Sequence, residues 1–240
     1  MLMTEKTFRQ RDDTHLNDID DVVYHISHDL RASVRALREL PAWLSEDLSE
    51  TGVTLEGETA ATLSLIQSHA RRLDEMLNGL LSYSRVGRLQ ALVVTQPQDV
   101  FNAVLKEIDP GSSARFYTHF NPVDIRIGSS DVARIFHVLL TNAVRHGGKD
   151  PIVEITSCKS GNVWELLVSD NGSGIPDADK DRVFKPMVKL VSRDEDEGGG
   201  MGLAILRKIV ERYDGSVHIE DRIRRGGVTF RLRMPVIFEG

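Results

Sequence analysis

Tyr24-His25-Ile26-Ser27-His28-Asp29-Leu30-Arg31 is the stretch around which this chain is organised. Apolar residues recur on both sides of it, at Ile19, Val23, Ile26, Leu30, Leu37, Leu40 and Leu44. Gaps of mostly three and four residues predict a long helix that packs against other helices along this stripe. With Val23 and Leu30 at a positions and Ile26 at d, His28 falls at f, pointing away from the stripe into solvent, and His25 falls at c. Asp29 follows directly. A carboxylate that accepts a hydrogen bond from one imidazole nitrogen sets the tautomer and leaves the other nitrogen free as a nucleophile. An exposed helical histidine is more often only a solvated side chain, so the rest of the chain has to decide between the two.

Working outward, residues 1–17 read as a loose polar arm and a first helix is expected from about Asp18 to Ser49, with Pro41 bending it or removing one hydrogen bond. Small residues from Ser49 to Gly57 make a turn. A second helix runs to about Arg85, with a regular stripe at Leu63, Ile66, Ala70, Leu73, Leu77, Leu80 and Ser84. The expected first domain, 18–88, is therefore an antiparallel helical hairpin. Two narrow stripes leave apolar surface wet, so a homodimer forming a four-helix bundle is the natural solution. A plain dimerisation hairpin with no chemistry has the same pattern.

After Gly87-Arg88 the pattern changes to α+β, over an expected second domain at 89–240. Strands are predicted at Leu92 to Thr95, Arg115 to Phe120, Val123 to Ile127, Ile152 to Cys158, Val163 to Ser169, Ser216 to Glu220 and Val228 to Met234. Helices are predicted at Asp99 to Ile108, Ser130 to His146 and Met201 to Tyr213. There is no strict β-α-β alternation, so a sandwich with helices on one sheet face is expected.

Composition narrows the function. The 240 residues are 40% hydrophobic with a net charge of −6, which suits a packed soluble core and disfavours a nucleic-acid surface. The single cysteine, Cys158, excludes a disulfide framework or a cysteine metal site. No apolar run approaches the ~18 residues that span a bilayer, and the N-terminus has no apolar signal core. The expectation is a cytoplasmic protein without membrane insertion.

Four pieces of the second half carry candidate ligand chemistry. Asn142, in Leu139-Leu140-Thr141-Asn142-Ala143-Val144-Arg145-His146, lies at the edge of an apolar stripe and offers an amide oxygen of the kind Mg²⁺ accepts. Asp170 follows a strand and precedes Gly172 and Gly174, an acceptor at the mouth of a sheet beside backbone that a ligand can approach closely. Gly198, Gly199, Gly200 and Gly202 run into Leu203 at a helix start, where free N–H groups and the helix dipole favour phosphate. Gly226-Gly227-Val228-Thr229 turns into the last strand, with the Thr229 hydroxyl available to a base or a bridging water. Each piece alone has an ordinary reading as a solvated Asn, a turn, a linker or a strand start.

Together, with Phe184 between the second and third pieces, they resemble the ATP-binding domain shared by histidine kinases, gyrase-type ATPases and Hsp90-type chaperones. Ser27-His28-Asp29-Leu30-Arg31 on a hairpin upstream makes the whole similar to a sensor histidine kinase core, and Ser192 to Gly200 further resembles the phytochrome-type branch. The resemblance covers about Asp18 to Pro235. It implies autophosphorylation of His28 from ATP with Mg²⁺, Asp29 as base and orienting group, and transfer to an aspartate of a response-regulator receiver. It also implies Asn142 on Mg²⁺, Arg145 on phosphate, Asp170 on the adenine amino group, Gly200 and Gly202 under the triphosphate, and a lid over Lys185 to Gly199. A separate sensor or regulatory protein is a further expected partner, because only the polar arm precedes the hairpin. The rival is a histidine phosphotransferase with an inactive ATP-like domain. Four positions depart from the family pattern: Ser33 stands in place of a proline, Ala32 of a Thr or Asn, Val138 of an Asn and Met187 of a Phe. Ala32 leads to the expectation of weak phosphatase activity.

Overall fold

The computed structural model describes residues 2–87, 90–108, 114–190, 199–222 and 226–237, with only the backbone described over 2–20. Met1–Arg85 belongs to one compact unit, and Val86–Leu190 with Gly202–Gly240 forms the other.

The first unit is a hairpin of α1 (Leu2–Glu50) and α2 (Gly57–Ser84). Helix α1 starts at Leu2 and not near Asp18, so the backbone is helical through the expected arm. That segment contains neither glycine nor proline, and nothing in it stops helix from propagating out of α1. Pro41 is accommodated inside α1. The chain reverses where the Val53 N–H donates to the Leu48 carbonyl at 2.9 Å, with Gly52 at φ +79°.

The stripe of α1 that meets α2 differs from the one most apolar in sequence. Ser27, Val34 and Pro41, seven residues apart, are buried. Ile26, Leu30, Leu37, Leu40 and Leu44 are 48–54% exposed. Helix α2 turns Ala70, Leu77, Leu81 and Ser84 inward and leaves Ile66 and Leu73 exposed. A shift of one residue turns a helix face by about 100°. The contact face within the hairpin therefore lies beside the leucine stripe, with the small residues Ser27 and Ala70 among those it buries. Arg38 Nη1 reaches Asp74 Oδ2 across the hairpin at 3.1 Å.

The second unit contains β1 (Leu92–Thr95), α3 (Pro97–Ile108), β2 (Arg115–Phe120), β3 (Ile125–Gly128), α4 (Ser129–His146), β4 (Ile152–Ser160), β5 (Val163–Ser169), α5 (Gly202–Arg212), β6 (Ser216–Asp221) and β7 (Val228–Pro235). Five strands form one sheet in the order β2-β4-β5-β7-β6, while β1 and β3 pair separately. Only β2 with β4 is parallel among the paired strands; the others run antiparallel. Strict alternation along β4 and β5 puts Val153, Ile155, Trp164, Leu166 and Val168 on the inner face. Against that face lie Val132, Ile135, Phe136, Leu139 and Leu140 of α4 and Leu206, Ile209 and Val210 of α5, none of them exposed. Phe101, Phe120 and Phe136 close the α3 end, with ring centroids 5.2–6.4 Å apart. The outer face is charged: Arg231 pairs with Glu165 at 2.8 Å and Glu220 at 2.7 Å. The two-domain arrangement, a helical part and then an α/β sandwich with helices on one face, agrees with the sequence expectation.

Candidate functional site

Register places the first part of the site. Ser169, the last residue of β5, lies opposite Thr229, near the start of β7. Their hydroxyls meet at 2.8 Å. Asp170 is thereby delivered at the end of a central strand, 5% exposed. Its Oδ1 accepts from the Gly172 N–H at 2.8 Å and the Val228 N–H at 3.4 Å. Burial pushes this carboxyl above its ordinary range, against the opposing pull of the two backbone donors and of the His146 and Arg222 charges.

Three segments converge on Asp170. A side chain on Gly172 would collide with the His146 carbonyl at the end of α4. One on Gly227, whose φ is +82°, would collide with the Asp170 carbonyl. Both positions need glycine for close approach of backbone to backbone. A Cβ on Gly174 would stand 3.8 Å from the Gly227 carbonyl, so the two glycine turns face each other. Asn142 is half-buried one helical turn before His146, and its side chain makes no hydrogen bond among the described residues. Arg145, exposed, sits in the last turn of α4.

Gly202 opens α5, and a Cβ there would touch Val138 of α4 at 3.4 Å, so the free N–H groups of the α5 start lie beside α4. Leu203 follows, half-buried. Gly200 has φ +67° and groups with the helical unit. Gly198 and most of the expected lid lie outside the described residues. Phe184 is buried edge-to-face on Phe230, centroids 6.5 Å apart, with Arg207 Cζ 4.0 Å from its ring centroid.

In the helical unit, the His28 side chain is 59% exposed and its Nδ1 lies 3.3 Å from Asp29 Oδ1. That pairing leaves Nε2 as the unshared ring nitrogen.

Asp170, Gly172, Gly174 and Thr229 are thus brought together by the β5 exit and the β7 entrance, and the end of α4 that carries Asn142 one turn earlier abuts Gly172. Sequence reasoning missed Ser169 and Arg222. The first is legible only once the β5–β7 register is known. The second donates from Nη1 to the Asp170 carbonyl at 3.1 Å and pairs with Glu154, with no local signal in the sequence.

A helical hairpin bearing an exposed histidine, followed by a two-layer domain with this glycine-lined carboxylate, is similar to a sensor histidine kinase core with its ATP-binding domain. Residues 128–237 match the family described as histidine kinase-, DNA gyrase B-, and HSP90-like ATPase. The chain is 30% identical over 230 residues to the methanogenesis regulatory histidine kinase FilI of Methanothrix harundinacea, covering 91% of this chain and 25% of that protein. It is 27% identical over 224 residues to the phytochrome-like protein Cph1 of Synechocystis, covering 91% and 29%. The chain thus spans about a quarter to a third of these two relatives. Histidine kinase ThkA, solved in complex with response regulator protein TrrA, superposes with a TM-score of 0.64 at 16% identity over 96% of this chain and 67% of that one, which is a likeness of fold.

Proposed function

We propose that the chain is an ATP-dependent protein-histidine kinase in which His28 accepts the γ-phosphoryl group and passes it to a response-regulator aspartate. One observation carries this reading: the same chain holds an exposed histidine with Nδ1 on a carboxylate and a buried carboxylate at the mouth of two facing glycine turns. The Nε2 lone pair attacks the γ-phosphorus, the bond from phosphorus to the bridging oxygen breaks, and ADP leaves. Asp29 draws the Nδ1 proton, so the phosphorylated ring does not keep a full positive charge. The rest is positioning and charge neutralisation.

Asp170 accepts from the adenine amino group, with Thr229 beside it. Arg145 faces phosphate, and Gly198, Gly200, Gly202 and Leu203 supply backbone to the triphosphate. Asn142 suits Mg²⁺, because its amide oxygen is uncommitted. No cluster of three or more His, Cys, Asp or Glu suited to a metal occurs among the described residues. Asn142 would hold such an ion together with phosphate oxygens and water. When bound, Mg²⁺ neutralises charge on the phosphates.

The half-exposed leucine stripe of α1 supports a homodimer. The fold shared with a kinase solved on its response regulator supports a receiver-domain partner. No helix among the described residues is long and apolar enough to cross a membrane, and a cytoplasmic setting is part of this proposal. The rival phosphotransferase with an inactive ATP-like domain is disfavoured by the retained Asn142, Asp170 and glycine turns.

Incubation with γ-labelled ATP and Mg²⁺, wild type beside His28→Ala, tests the reading. Acid-labile, base-stable label on the wild type alone is the expected outcome, with ATP binding equal in both proteins. Label persisting on His28→Ala, or ATP binding absent in both, overturns it.

A further inference from the structure

We infer that Tyr24 and Arg85 are positioning residues for the His28 imidazole, an inference that rests on the reading of His28 as phosphoacceptor. Tyr24 and His28 are four residues apart on α1 and share one side of the helix. Their rings lie 6.2 Å apart between centroids with an interplanar angle of 29°, a loose offset stack. Arg85, the residue that caps the end of α2, reaches across the hairpin to Tyr24. Its Nη2 donates to the Tyr24 hydroxyl at 3.2 Å, and its Cζ lies 5.0 Å from the ring centroid. This is both a hydrogen bond and a cation–π contact to one side chain.

The need for such a device follows from the exposure of His28. Asp29 is 81% exposed and offers one 3.3 Å contact, which selects a tautomer but leaves the imidazole free to swing. A nucleophile pays heavily for a small misplacement of its attacking atom. Tyr24 supplies a second, flat contact from one turn below. Arg85 immobilises Tyr24 by tying it to the other helix. Arg85 has no acidic partner among the described residues, so its guanidinium is committed to the tyrosine and not to a surface ion pair. The arrangement couples the orientation of His28 to the register of α1 against the end of α2, so a shift of one helix along the other is transmitted to the imidazole.

The test uses the full chain and two readouts. Proton–nitrogen correlation spectra of the His28 ring, recorded without nucleotide, report ring contact and tautomer. Labelling kinetics over a range of ATP concentrations separate kcat from KM. Tyr24→Leu is expected to remove the tyrosine ring-current shift from the His28 ring protons. It should also slow labelling by roughly tenfold or more with KM for ATP unchanged. Tyr24→Phe retains the ring and should keep the shift, with only about a two- to threefold loss of rate. Arg85→Gln should broaden the His28 signals and slow labelling, and Arg85→Lys should recover part of the loss. Unchanged His28 signals in Tyr24→Leu, or a rate loss expressed wholly in KM, overturns the inference. Helical circular dichroism and ATP affinity equal to wild type show that each variant is folded. Absence of label on the wild type sinks the kinase reading alone, because the ring spectra decide the positioning without turnover.

Discussion

Asp170 shows how one residue is set for recognition at a cost in stability. Burial raises its pKa, so the fold favours the neutral carboxyl. The stability it contributes is full at low pH and is lost as pH rises through the raised value. In the proposed complex, the ionised carboxylate is the stronger acceptor for the adenine amino group. ATP affinity should therefore fall on acidification, beginning above the pH at which an ordinary aspartate titrates, and calorimetric titration across that range checks it. Asp170→Asn should raise the Kd for ATP by roughly tenfold to a hundredfold, the worth of a hydrogen bond to a charged group. The same variant should keep or raise the melting temperature at neutral pH, because it removes a buried charge. A fall in both would mean that Asp170 is structural. That an acceptor stands here was legible from an Asp between an apolar strand and two glycines. Its buried state was not, because it depends on the Gly227 turn, far along the chain, closing over it.

At the scale of elements, α4 is tied at its start by a side chain and closely packed by backbone at its end. The Tyr213 hydroxyl, just past α5, donates to Asp131 Oδ2 at 2.7 Å and accepts from the Gly128 N–H at 3.2 Å. Burial and the Asp131 carboxylate push this phenol well above its ordinary range. The contact is complete below the usual tyrosine range and is lost only when strongly alkaline pH ionises the phenol. Tyr213→Phe leaves a buried carboxylate without its donor and should cost about 1–3 kcal/mol in urea unfolding. ATP affinity should be nearly unchanged, since the tie lies at the opposite end of α4 from Asn142. At the other end, Gly172→Ala forces a methyl group into the His146 carbonyl and should lower nucleotide affinity along with stability. Most element positions were legible from periodicity: β1, β2 and β5 match the expected spans, and α3, α4 and α5 differ by two residues or fewer at either end. The start of α1 was not legible, because a polar segment resembles loose chain even where it contains neither glycine nor proline to break a helix.

For the whole molecule, the leucine stripe of α1 is the feature the single chain does not use. Ile26, Leu30, Leu37, Leu40 and Leu44 form a line too long and too apolar to be an ordinary solvated face. Placing charge in it, as in Leu37→Asp with Leu44→Asp, should convert a dimer to a monomer in sedimentation equilibrium. ATP affinity should stay at the wild-type value, because these residues belong to the helical unit. A monomeric wild type would defeat the dimer proposal. The stripe is also where sequence and structure part most clearly. Heptad spacing announced that α1 packs on other helices, yet it did not say which stripe meets which neighbour. The hairpin uses Ser27, Val34 and Pro41, a line of heptad spacing beside the leucines.

By itself, the sequence determined the order and type of the elements, the two-part organisation and the presence of the four ligand-bearing pieces. These depend on local period, on glycine placement and on residue chemistry. The tertiary structure alone decided which stripe of α1 is buried, that Ser169 and Thr229 meet, that Arg222 braces Asp170, and that Arg85 ties Tyr24 beside His28. Each of those facts is a meeting of residues tens of positions apart. Such meetings are set by sheet register and helix rotation, and a shift of one residue in either would have paired different side chains.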